Sequence, residues 1–138
     1  MQFNKNTSSG ITNIVGLIIK SIIGLAIIQA FEGVDVVFHT AAIISLERKN
    51  KSLIRSVNVE GTKNVCKMSL KHSIRKLIHF SSVDAFIREP LEDPLLEDRS
   101  LVVDQNAVPY DLSKADAQRI VLEYCDKGLD ASIIHPSG

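Results

Sequence analysis

Three short apolar runs punctuate the chain from residue 34 onward: VDVVFHTAA, KLIHFSS and DASIIHP. Each is rich in β-branched residues and bounded by breakers, which predicts strands over residues 34–40, over 76–81 and within the third run, which Pro136 closes. Between them the apolar period changes. Leu53, Val57, Gly61, Val65 and Met68 recur at helical spacing and predict one helix with a single apolar stripe over residues 51–71. PYDLSKADAQRIVLEYC predicts a second helix, with Pro109 suited to its first turn and Gly128 to its end. Its apolar stripe is Leu112, Ala115, Val121 and Tyr124. Strands alternating with helices imply an α/β fold with a parallel sheet. The strands show no polar alternation, the pattern of a sheet covered on both faces.

Two segments depart from this rhythm. Residues 1–13 are polar and are expected to be disordered. Residues 14–31, IVGLIIKSIIGLAIIQAF, are apolar but interrupted by Lys20, Ser21 and Gln29. A membrane span takes about 20 predominantly apolar residues. The reading adopted is a strand and helix packed on a soluble core, with a membrane anchor as the alternative; Gly33 suits the end of that helix. The second exception is residues 84–108, which carry seven acidic residues and two of the four prolines. A connection so long and so weakly periodic suggests a functional loop, and its position suggests a site lid.

Charge adds little, because 16 basic residues balance 16 acidic ones. Nothing in that balance argues for nucleic acid or an anionic membrane surface. Cys66 and Cys125 share no motif and read as buried, reduced thiols, consistent with a cytoplasmic protein. His39, His79 and His135 end apolar runs, and with His72 they show no metal-ligand spacing.

The candidate chemistry lies at PYDLSK. Tyr110 and Lys114 stand four residues apart, hence side by side on one helix face. A phenol ionises near pH 10, and an adjacent cation favours the phenolate, so Lys114 is expected to tune Tyr110 as a general acid/base. Ser82, from a different strand, could hold a substrate oxygen beside the phenol. Such a trio moves a proton on an alcohol or carbonyl but supplies no hydride, which a redox cofactor must provide.

GVDVVFHTAA, VNVEGTKNV, KLIHFSSVDAF, PYDLSKADAQRIVLE and GLDASIIHPSG occur in the order seen in the extended short-chain dehydrogenases/reductases. The chain resembles most the NAD-dependent epimerase/dehydratase group, with its 3β-hydroxysteroid-dehydrogenase-like and dihydroflavonol-reductase-like relatives. The resemblance covers residues 30–138 and implies a partial Rossmann-type parallel sheet with flanking helices, binding NAD or NADP, in a domain read as residues 14–138. It implies Ser82 (with Ser81 the neighbouring alternative), Tyr110 and Lys114 as the catalytic residues. Thr40, Ala41, Ala42, Lys114, Pro136 and Ser137 are implied at the cofactor. Asn58 matches a family asparagine; helix packing or a kink is its other reading. Thr40, Ser82 and Pro136 all fall at the carboxyl ends of strands, where such folds bind ligands.

The chain departs from the family in having no GxxGxxG; Gly10, Gly16 and Gly24 have other spacings. The acidic residue that in the family follows the second strand and binds the adenosine ribose has no counterpart here either. The sequence therefore reads as the middle of a reductase, with weakened cofactor binding and an open sheet edge at residues 34–40 that a homo-oligomer could cover. The expected function is NAD(P)-dependent oxidoreductase or epimerase-type chemistry on a small-molecule alcohol or carbonyl. The alternatives are a non-catalytic remnant or binding module, and a membrane-associated protein anchored by residues 14–31.

Overall fold

The computed structural model describes residues 30–45 and 47–137. The chain divides into two compact units, Met1–Val34 and Asp35–Gly138. In the first, Ala30 is helical and residues 31–33 turn, with Gly33 at φ 70°, a left-handed conformation that glycine adopts without Cβ strain. The expectations for residues 1–13 and for 14–29 lie outside the described residues.

The second unit holds three parallel strands in the order β1-β2-β3: β1 (Val36–His39), β2 (Lys76–Phe80) and β3 (Ala131–Ile134). The register aligns Val37 with Leu77 and Ala131, and His39 with His79 and Ile133. The first crossover is helical from Lys51 to Lys71, as α1 (Lys51–Ile54), a π-helical stretch (Arg55–Glu60) and α2 (Gly61–Lys71). The second carries α3 (Pro109–Asp126), with Pro109 in its first turn. When strands are added in one direction by right-handed crossovers, the crossover helices fall on the same face of the sheet. Accordingly Cys66 of α2 and Val121 of α3 pack with Leu77 and Leu129, flanked by Val37, Ala131 and Ile133 from the strands. Leu77 is fully buried at the centre, a contribution of about 2 kcal/mol by area.

Three details differ from the sequence reading. The strands are shorter than their apolar runs. The buried face of the first crossover is not the apolar stripe: Leu53 is exposed, while Ile54, Asn58, Thr62, Cys66 and Ser69 are buried. That face mixes apolar Ile54, Val59 and Cys66 with Asn58, which bonds Ser113 of α3, and Thr62, which bonds His39 of β1. Third, the sheet is not covered evenly. Phe38 is 66% exposed and Ile134 42%, on the side away from α2 and α3, so among the described residues only one face has a full helical layer. Of the two cysteines, Cys66 is buried as expected, whereas Cys125 is only half-buried. Burial, and then Cys125, push the Cys66 thiol up to about 12.

β1 lies at the edge of the described sheet. No described helix is long and apolar enough to cross a membrane.

Candidate functional site

Parallel strands present all their carboxyl ends on one edge. The loop after β1 therefore brings Thr40, Ala41 and Ala42 to the same edge as Ser81 and Ser82 after β2, and as Pro136 and Ser137 after β3. Thr40, Ala41, Pro136 and Ser137 are exposed there, and Ala42 is half-buried. A backbone bond from Val83 N–H to the Pro136 carbonyl, 3.4 Å, holds two of these loops together.

The first turns of α3 dock onto this edge. Lys114 is buried, and its Nζ donates to the Phe80 carbonyl at the end of β2 over 2.8 Å. The same ammonium stands 5.9 Å from the centroid of the Tyr110 ring. Burial lowers the lysine's pKa. Ser82 is buried beside the phenol and interacts with it. Ser82, Tyr110 and Lys114 are thus neighbours, although three separate stretches of sheet, loop and helix had to converge for Ser82 to reach the other two.

The electrostatics of the phenol differ from the sequence expectation. Tyr110's pKa is raised, not lowered. Desolvation is the main cause; the Asp84 and Asp111 carboxylates add to it, and the bond with Ser82 opposes it. Lys114, bonded to the Phe80 carbonyl and 5.9 Å from the ring centroid, is not among the groups that lower the phenol's pKa. A phenol is ordinarily protonated at neutral pH, and these surroundings move its ionisation further up.

Ser81 and Ser82 are also separated by the structure. Ser81 points to the helix side, where its hydroxyl donates to Gln118 Oε1 over 2.8 Å. Gln118 Oε1 also bonds His135 Nε2 at 2.9 Å, and His135 Nδ1 meets Glu97 at 2.7 Å. Ser82 alone of the pair meets the phenol. Sequence reasoning missed Gln118, although it stands four residues beyond Lys114 on the stripe that begins at Tyr110.

Asn58 lies in the π-helical stretch and is buried. Its Oδ1 accepts from Ile43 N–H at 2.8 Å, and its Nδ2 donates to the Ile43 carbonyl at 3.0 Å and to Ser113 Oγ at 2.9 Å. The side chain thereby pins the loop after β1 to α3. Beneath the edge lie two imidazoles, His39 and His79, with ring centroids 5.4 Å apart and planes tilted by 35°. Thr62 spends its proton on the Asn58 carbonyl at 2.6 Å, so it accepts from His39 Nε2 at 2.9 Å. Neither ring nitrogen of His79 has a hydrogen-bond partner among the described residues. Burial first, and Lys114 nearby, lower His39 to about 4; burial first, then His39, Lys114 and His135, lower His79 to about 3.

The expected lid is partly ordered by backbone and arginine contacts. Ser82 caps a 3₁₀ turn (Val83–Ala85), and Phe86 pairs with Leu101 in an antiparallel bridge. Arg99 donates to the carbonyls of Arg88, Pro90 and Pro94, and Arg119 to that of Val102. Arg48 and Lys51 hold the carbonyls of Asn106 and Gln105 at its far end. Among the described residues no cluster of three or more His, Cys, Asp or Glu side chains could hold a metal.

Comparison with known proteins places this geometry in context. The chain is 32% identical over 113 residues to 3beta-hydroxysteroid-dehydrogenase/decarboxylase isoform 1 of Arabidopsis thaliana, covering 80% of this chain and 25% of that protein. It is 28% identical over 109 residues to Sterol demethylase protein B of Methylococcus capsulatus, covering 79% and 33% respectively. Among solved structures, a short-chain dehydrogenase/reductase superfamily protein from Agrobacterium tumefaciens with bound NAD superposes with a TM-score of 0.68 at 25% identity, over 81% of this chain and 34% of that one. The chain thus spans about a third or less of the length of these relatives. The 3-beta hydroxysteroid dehydrogenase/isomerase family model matches residues 11–132, nearly the whole chain, and with the shared parallel sheet this establishes that the chain belongs to that family of extended short-chain dehydrogenases/reductases.

Proposed function

We propose that this chain carries the proton-transfer half of an NAD(P)-linked dehydrogenase or epimerase-type site acting on an alcohol or carbonyl of a small molecule. The observation that carries the reading is the convergence of Ser82, Tyr110 and Lys114 at the carboxyl edge of a parallel sheet. Tyr110, held neutral by its surroundings, donates its proton to a carbonyl oxygen as the general acid. Ser82 stands beside the phenol and orients it. An ammonium has three donors and the Phe80 carbonyl uses one, so Lys114 keeps donors for a ribose hydroxyl. Thr40, Ala41 and Ala42 would lie along such a cofactor, and the exposed Pro136 and Ser137 at its nicotinamide end. When bound, the nicotinamide supplies or accepts the hydride. The likeness to an NAD-bound relative supports the cofactor class and leaves NAD and NADP equal.

One observation favours a second reading, a binding module without turnover: the chain contains no GxxGxxG, the turn whose backbone N–H groups cradle a pyrophosphate. Titration with NADH and with NADPH, by calorimetry or fluorescence, decides between them. The first reading expects saturable binding of at least one, weaker than in a chain with the glycine turn. It also expects that Tyr110→Phe abolishes turnover while cofactor affinity stays within about twofold. Absence of binding at millimolar cofactor overturns the enzyme reading, and equal activity of Tyr110→Phe and parent overturns the assignment of Tyr110.

A further inference from the structure

We propose that Asp84 is a positioning residue that acts through Ser82: it holds the single proton of the Ser82 hydroxyl and thereby keeps the neighbouring Tyr110 phenol in its protonated, acid-ready form. The proposal deepens the reading above and rests on it for its catalytic meaning.

The geometry is local and specific. The Ser82 hydroxyl donates to Asp84 Oδ2 at 3.2 Å, while its oxygen accepts from the Asp84 backbone N–H at 3.2 Å. A serine hydroxyl has one proton. While Tyr110 is neutral it needs no donor, and its own O–H can point at the serine oxygen. Once ionised, the phenolate needs a donor, and the nearest hydroxyl proton is already committed to a carboxylate. Two anions then compete for one proton at close range. The remaining charged groups facing the phenol do not settle the contest for the phenolate. Asp111 is a second carboxylate on its own helix and, like Asp84, disfavours the ionised ring. Arg88 is ion-paired with Asp84 and acts on Asp111. Lys114 faces the ring but is bonded to the Phe80 carbonyl.

The consequence is a directional bias. A phenol is protonated at neutral pH already, ready to protonate a carbonyl oxygen in the reductive direction, and Asp84 extends that state to higher pH. Taking a proton from an alcohol first requires deprotonation, so oxidation needs a more alkaline medium. Arg88 is the counterweight, because by pairing with Asp84 it weakens that residue's hold.

The test is a spectrophotometric phenol titration of the full chain without cofactor or substrate. The chain has two tyrosines, 110 and 124, and Tyr110→Phe assigns the two transitions. Asp84→Asn, which removes the competing charge, is expected to lower the Tyr110 midpoint by at least about half a pH unit. Asp84→Glu should return it toward the parent value, and Arg88→Gln should raise it. A midpoint that is unchanged or raised in Asp84→Asn overturns the proposal, as does movement of Asp84→Asn and Arg88→Gln in the same direction. If circular dichroism shows that Asp84→Asn does not fold, Arg88→Gln decides: an upward shift supports the proposal and no upward shift overturns it. A downward shift in a chain that turns over nothing supports the proton arrangement and overturns only the catalytic reading.

Discussion

Replacing Asn58 with alanine tests whether this buried amide holds the edge of the site together. The substitution removes three hydrogen bonds, two to Ile43 and one to Ser113. Each is worth roughly 0.5–1.5 kcal/mol net, and more where a partner is left dry and unpaired. Ile43 is only half-buried, so water can replace part of what its backbone loses. Ser113 is buried but keeps its own bond to the Tyr110 carbonyl at 2.7 Å. The sum is a destabilisation of about 2–4 kcal/mol, a large fraction of the 5–15 kcal/mol that holds a typical domain. The assay is urea unfolding followed by circular dichroism, with the slope checked for two-state behaviour. Hydrogen exchange at the Ile43 amide adds a local reading: its protection should fall more than that of amides in β2. Asn58→Asp should be at least as damaging, because it sets a carboxylate oxygen against the Ile43 carbonyl. A loss below about 1 kcal/mol, with Ile43 exchange unchanged, would refute the reasoning and leave Asn58 to a role at the cofactor.

Leu77→Ala, at the centre of the fully buried cluster, should cost about 2–5 kcal/mol by the same urea assay, and a loss under about 1 kcal/mol would show that the cluster is not the core. The buried imidazoles predict acid lability. An unfolded histidine takes up its proton near 6.5, whereas His39 and His79 do so at about 4 and about 3. Both folded values are depressed, so below about pH 6.5 the unfolded chain binds more protons and stability falls as pH falls, down to the folded values. At about pH 5 the two together should have cost roughly 3–4 kcal/mol relative to pH 7. Urea midpoints across that range read this directly, and a flat profile would refute it. Arg99→Ala should speed proteolysis within residues 88–98, since the Arg99 guanidinium binds four carbonyls there; an unchanged digestion pattern would show that the loop does not depend on it.

Much of this molecule follows from residues close together in sequence. Breakers bound the runs that became β1, β2 and β3, and the helical period marked both crossovers, with Leu112, Ala115 and Val121 buried as their spacing requires. The pairing of Tyr110 with Lys114 needed only the pitch of a helix. The stripe chosen for residues 51–71 was one position off, because an apolar period says which residues prefer burial. It does not say that hydrogen bonds to Ser113 of α3 and His39 of β1 would bury Asn58 and Thr62 instead.

By itself, then, the sequence determined the strand and helix order, the parallel sheet that follows from right-handed crossovers, and the edge where the candidate groups collect. Those depend on local propensity and periodicity, which each segment carries with it. Tertiary structure alone decided that Ser82 and not Ser81 meets the phenol, that Asn58 ties Ile43 to Ser113, and that the Tyr110 pKa moves up although a lysine stands one turn away. Desolvation and competition for a single proton arise only when residues distant along the chain surround a group. Lys114, bonded to the Phe80 carbonyl and 5.9 Å from the ring centroid, does not offset that desolvation.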